Sequence, residues 1–246
     1  MPWLRQRQSS RLSAHLPLRS SKSYPNMNLF QVISEGKEGV LHRYLEDLSD
    51  TSRRLKVNDR DKVTGASLVH QASMMINCED SASLMVQTLM SAVGDGANAI
   101  DAWGMTPLHH AALSGNSHVV RCLLPYASVN KEATDKQGRT ALHNAATVGD
   151  TEVVRLLLEH GANVNAVDKK GLTAVHIAAK EGSLDALRTL CSDADKDLVN
   201  GERPLEQQQA AELLSRKDKQ QMTPLHYAVE GKHLEVARYL LERGKW

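Results

Sequence analysis

Thr140-Ala-Leu-His-Asn-Ala-Ala146 recurs in the same chain as Thr106-Pro-Leu-His-His-Ala-Ala112, Thr173-Ala-Val-His-Ile-Ala-Ala179 and Thr223-Pro-Leu-His-Tyr-Ala-Val229. A weaker copy reads Ser67-Leu-Val-His-Gln-Ala-Ser73, and the five starts are separated by 39, 34, 33 and 50 residues. The surroundings recur as well. An Asp stands five residues before each Thr (Asp101, Asp135, Asp168, Asp218), and a Gly two residues before three of them (Gly104, Gly138, Gly171). After each helical opening comes a Gly (Gly115, Gly149, Gly182), then a second apolar stretch such as Glu152-Val-Val-Arg-Leu-Leu-Leu158, then Gly161 at a helix C-cap position and the stretch Asn163-Val-Asn-Ala-Val-Asp168, read as extended.

The residue types have local reasons. A Thr hydroxyl at a helix start accepts an orphan backbone N–H, and Pro107 and Pro224 fill first-turn positions that need no donor. Paired alanines keep one helix face thin so that a second helix approaches closely, while Leu156, Leu157 and Leu158 fill the layer between units. A single helix pair cannot cover its own apolar face, so such units must stack.

Composition agrees. The 246 residues are 41% apolar but only 4% aromatic, which disfavours a sandwich or barrel core and leaves Ala, Leu and Val to build closely packed helices. No apolar run is long enough for a transmembrane helix. Cys78, Cys122 and Cys191 are too few and too scattered for a disulfide framework, which points to a reducing, intracellular compartment, cytoplasmic or nuclear, with the thiols as small core hydrophobes. The net charge of +1 hides an asymmetry. Residues 1–34 carry Arg5, Arg7, Arg11, Arg19 and Lys22 and no acid; removing those five leaves 25 basic against 29 acidic residues, a balance of −4 for residues 35–246. Residues 1–26 read as a disordered basic tail. They have the composition of a flexible extension ahead of Met27, of a transit peptide, which would make the protein mitochondrial, or of a basic arm for nucleic acid or an anionic membrane.

The period of about 33 with Thr-Pro-Leu-His-x-Ala opening a helix pair resembles the ankyrin repeat family. The resemblance covers residues 27–246 and implies an all-α fold, an ankyrin-type solenoid of helix-turn-helix units with short β-hairpin loops. Six units are expected, starting near 27, 67, 106, 140, 173 and 223. In the second unit six extra residues are expected between the helices, around Ile76 to Ser83, and a 17-residue insertion falls within 193–217, with an added helix over Pro204–Leu214. The first unit, Leu29 to Glu46, reads as a cap. In the last unit the outer face, with Val236, Ala237, Leu240 and Leu241, carries no polar capping pattern, so either the stack continues or a partner covers it.

The eleven histidines invite a metal or catalytic reading, but the resemblance gives His70, His109, His143, His176 and His226 a structural role, the imidazole bonding backbone and tying units together. His109, His110, His118 and Cys122 form the most metal-like set, yet lack ligand spacing, with Cys122 at a core position and His118 exposed. The repeated Asp residues belong to turns. No phosphate loop, nucleophile elbow or dinucleotide fingerprint is present, so no enzyme activity, cofactor, metal or small-molecule substrate is expected. The remaining variable residues fall on the tips, Ala102-Trp103, Lys136-Gln137, Lys169-Lys170 and Lys219-Gln220, and on the positions after the repeat His, namely His110, Asn144, Ile177 and Tyr227. By resemblance these form the concave, partner-binding face. Trp103 is the candidate anchor, and Lys136, Lys169 and Lys170 favour an acidic segment on a partner protein. Asn165 resembles the hairpin Asn that asparaginyl hydroxylases modify. The expected function is a protein-interaction scaffold. The alternatives are the recognition module of a longer enzyme or channel, and nucleic-acid or anionic-membrane binding through the tail and lysine tips, against which the acidic body argues.

Overall fold

The computed structural model describes residues 28–48, 52, 59–75, 79–93, 95–192 and 212–243. The basic tail, Cys78, nearly all of the insertion and the last three residues lie outside the described residues, although residues 212–215, at the end of the expected added helix, are helical. The described helices come in pairs. They are α1 (Leu29–Ser34) with α2 (Glu38–Glu46), α3 (Leu68–Ser73) with α4 (Glu79–Val93), α5 (Pro107–Leu113) with α6 (Ser117–Leu123), α7 (Ala141–Val148) with α8 (Thr151–Glu159), α9 (Ala174–Glu181) with α10 (Leu184–Ser192), and α11 (Pro224–Glu230) with α12 (Leu234–Arg243). First helices pack side by side from α1 through α11, and second helices from α2 through α10 form a parallel row behind them.

Small side chains permit this two-row packing. Ala111, Ala112, Ala145, Ala146, Ala178 and Ala179 are fully buried, and Leu123, Leu156, Leu157 and Leu187 fill the space between the rows. Leu158 is only half-buried, because the third leucine of that run rotates off the buried stripe. Of the excess expected between the helices of the second unit, residues 76–78 lie outside the described residues, and residues 79–83 are the start of α4, which is 15 residues long. Cys191 is core as expected; Cys122 is half-buried and its Sγ accepts a hydrogen bond from Gln87 Nε2 at 3.3 Å. In the last unit Val236 and Leu240 turn inward and are buried, leaving Val229, Leu234 and Leu241 exposed.

The connections between units are tight turns. Among the described residues none forms a strand, and the single isolated bridge joins Arg60 to Ser67, so the hairpins keep their turn bonds without strand pairing. Gly104, Gly138 and Gly171 take φ of +77°, +81° and +85°. A Cβ at Gly138 or Gly171 would also stand 2.9 Å from the backbone N of Lys169 or Lys219 in the next turn, so two independent constraints select glycine. Gly161 takes the left-handed conformation expected after α8, whereas the following stretch is broken by a turn in which Ala166 N–H donates to Asn163 C=O.

A ladder of turns and the candidate interaction face

Each turn is held by its Asp. Asp101 Oδ1 accepts from the N–H groups of Trp103 and Met105, Asp135 from Gln137 and Arg139, Asp168 from Lys170 and Leu172, and Asp218 from Gln220 and Met222, all at 2.8–2.9 Å. Asp61 does the same for Val63 and Thr64. It escapes the sequence pattern because its turn is one residue longer, placing it six residues before Ser67. The tips are then bonded to one another: Ala102 N–H to Thr64 C=O, Lys136 N–H to Trp103 C=O, Lys169 N–H to Gln137 C=O and Lys219 N–H to Lys170 C=O, at 2.8–3.1 Å.

The repeat histidines lock this ladder to the helices. Thr140 N–H donates to His143 Nδ1 at 3.1 Å, while His143 Nε2 donates to Leu172 C=O of the next unit at 3.0 Å. His70, His109 and His176 repeat the arrangement toward the carbonyls of Met105, Arg139 and Arg216. Histidine therefore fills the place that Glu or Gln takes in an ordinary capping box, and adds a bond between units. A backbone N–H donates to Nδ1 and Nε2 faces a carbonyl, so the neutral Nε2–H tautomer fits and a second proton at Nδ1 would displace the bond from that N–H. Burial is the main reason that all four imidazoles titrate below the ordinary histidine range, His70 at about 4. His226 keeps the capping contact with Thr223 but is exposed.

The expected binding residues divide into two groups. Trp103, at 54% exposure, and Lys136, Gln137, Lys169 and Lys170 stand exposed along the tips. The positions after the histidines do not form an open surface: His110, Asn144 and Ile177 are 7%, 0% and 6% exposed. Helix rotation aims that position back at the turn or at the adjacent first helix. His110 Nε2 meets Asp101 Oδ2 at 2.7 Å, and Asn144 Nδ2 donates to His109 C=O at 3.3 Å. Tyr227, half-buried, donates its hydroxyl to Asp218 Oδ2 at 2.7 Å. Burial pushes the Asp101 carboxyl up, but the hydrogen bonds from His110 and from the Met105 and Trp103 N–H groups outweigh it and hold the group below its usual range. Burial first, and the Asp218 carboxylate second, push the Tyr227 phenol up to about 12.

Ile177, although buried, forms part of the floor of a cleft of about 410 Å³ that runs from the fourth and fifth tips toward the ends of α7 and α9. Lys136, Gln137, Lys169 and Lys170 line it, and so do Arg139, Thr147, Lys180 and Glu181, which sequence reasoning missed. The signal for the last two was available, since Lys180 and Glu181 stand three and four residues after Ile177 on one helix face. Asn165 lies outside this cleft. Its N–H donates to Asn163 Oδ1, and Arg216 Nη1 donates to Asn165 Oδ1 at 3.2 Å. Of the metal-like set, His109 is spent on capping, His110 on Asp101, and His118 is exposed. Among the described residues no group of three or more His, Cys, Asp or Glu side chains could hold a metal ion. Among them also no helix is long and apolar enough to cross a membrane.

A stack of helix pairs with a bonded ladder of turns and a row of variable tip residues defines a repeat protein of the interaction-module class. The sequence model for "Ankyrin repeats (3 copies)" matches residues 69–168, 128–200 and 167–245, which together span more than two-thirds of the chain, and the chain belongs to the ankyrin-repeat family. A comparison with curated proteins found no match. Ankyrin repeats are generally protein-protein interaction modules, and typically non-catalytic.

Proposed function

We propose that this chain is an interaction scaffold that holds a partner protein across its turn tips and the adjoining ends of its first helices, and that the partner presents an acidic segment there. The observation that supports this most is the cleft between the fourth and fifth tips. Lys136, Lys169, Lys170 and Lys180 line it, and among the described residues their ammonium groups have no carboxylate partner. Unpaired like charges held together on a body of net −4 are repelled by one another and gain when an anion arrives. Trp103 stands on the adjacent rung, where Lys136 N–H bonds its carbonyl, so an aromatic surface and a basic cleft are offered side by side. Exposed tryptophan flanked by charge is the composition of an interface anchor.

A degenerate library of short peptides with glutamate fixed at the centre tests the reading. Wild-type protein is expected to retain a subset of the library. The double substitution Lys169→Glu/Lys170→Glu is expected to release it, and Trp103→Ala to weaken it about tenfold. All of these residues are exposed, so the melting transition should stay within a few degrees. Retention unchanged in both variants would place the binding face elsewhere.

A further inference from the structure

We propose that the cleft between the fourth and fifth turns receives a phosphomonoester carried on a side chain of the partner protein. This deepens the scaffold reading and rests on it. The charge balance of the cleft is the starting point. Lys136, Lys169, Lys170 and Lys180 contribute four positive charges; Arg139 Nε is committed to Asp135 Oδ2 at 3.2 Å; Asp168 and Glu181 contribute two negative charges. The local surplus is therefore two, in a body whose total is −4. A carboxylate side chain would cancel half of that surplus. A phosphomonoester carries close to two negative charges near neutral pH, which matches that surplus, and its three acceptor oxygens can take hydrogen bonds from several lysines at once.

The other lining groups favour a phosphate carried on a peptide over a nucleic-acid backbone. Asp168 Oδ1 is used by its own turn, but Oδ2 has no partner among the described residues, and neither has the Glu181 carboxylate. These two acceptors in the lining of a basic cleft, Asp168 buried and Glu181 exposed, suit the N–H groups of a polypeptide and repel a run of phosphodiesters. Leu172 and Ile177 form an apolar floor for the side chain that carries the phosphate. The segment can continue onto Trp103, one rung away.

The test uses the full chain and three peptide libraries identical except for the central residue, which is phosphoserine, glutamate or serine. The phosphoserine pool is expected to be retained at least about tenfold more strongly than the glutamate pool. The triple substitution Lys136→Ala/Lys170→Ala/Lys180→Ala is expected to erase that preference, whereas Lys62→Ala, which removes a tip lysine two rungs away, keeps it. Equal retention of the phosphoserine and glutamate pools would overturn the phosphate assignment and leave the scaffold reading intact. Retention of neither charged pool, or retention untouched by Trp103→Ala and by the triple substitution, would overturn both. Single-stranded DNA that displaces the phosphoserine pool at equal phosphate concentration would overturn the choice of a peptide.

Discussion

The fifth and sixth units share the Asp, Thr, His and Ala positions of the repeat but use them differently. Gly171 and Gly182 of the fifth unit sit at φ of +85° and +75°, and each lies hard against the sixth unit, where a Cβ would meet Lys219 N at 2.9 Å and would collide with the His233 ring. At the matching positions of the sixth unit stand Gln221 and Lys232, at φ of +63° and +59°. The backbone conformation is conserved where the glycine is lost. No described unit packs on that side, so only the dihedral still favours glycine there. The repeat histidine follows the same division: His143 and His176 are buried and bonded to the next unit, whereas His226 is exposed. Much of what recurs in the sequence is thus an instruction for the junction with a neighbour.

Substitutions that attack the junction should be the costliest. Gly171→Ala adds the strain of a left-handed residue to a backbone collision and is expected to destabilise by about 3 kcal/mol in denaturant titrations. His143→Ala removes a cap and the bond to the next unit's Leu172 C=O, which keeps only the Asp168 N–H, for a loss of about 2 kcal/mol, while His226→Ala should cost about 1 kcal/mol. Equal losses at the two histidines would break the comparison. A smaller effect of opposite sign is expected at Gln221→Gly, which relieves a strained dihedral with no neighbour to disturb and should stabilise by about 0.5–1 kcal/mol after the entropy of the glycine is counted.

Acid provides a graded test. His70, His109, His143 and His176 bind protons less readily when folded than the ordinary histidine value near 6.5. On unfolding below that value the four take up protons, so their contribution to stability is fully present above about pH 6.5 and is lost as the pH falls toward the folded-state values, about 4 for His70. The melting temperature should therefore drop between pH 7 and pH 4.5, and less steeply in His143→Gln or His176→Gln.

The turns and first helices were legible because each is a local device: Asp, Gly, Thr and His hold fixed offsets wherever the turn has the same length. Asp61 was hidden by one added residue, and the early start of α4 at Glu79 shows the same limit. The direction of the residue after each histidine was not legible. His110 and Tyr227 reach back to their own turn, Asn144 reaches across to the neighbouring helix, and Ile177 lines a cleft, because helix rotation and the adjoining unit decide where that side chain goes. The tips were read correctly as exposed, whereas Arg139, Thr147 and Lys180 join the cleft only once two units are stacked.

The central claim is that partners bind the row of tips, and site-specific photo-cross-linking examines it most directly. A photoreactive residue placed at Trp103 or Lys169 should couple to the same retained peptide, and one placed at Arg121 or Arg188, exposed on the row of second helices, should not. Coupling of that peptide from Arg121 or Arg188 but not from Trp103 or Lys169 would contradict the account.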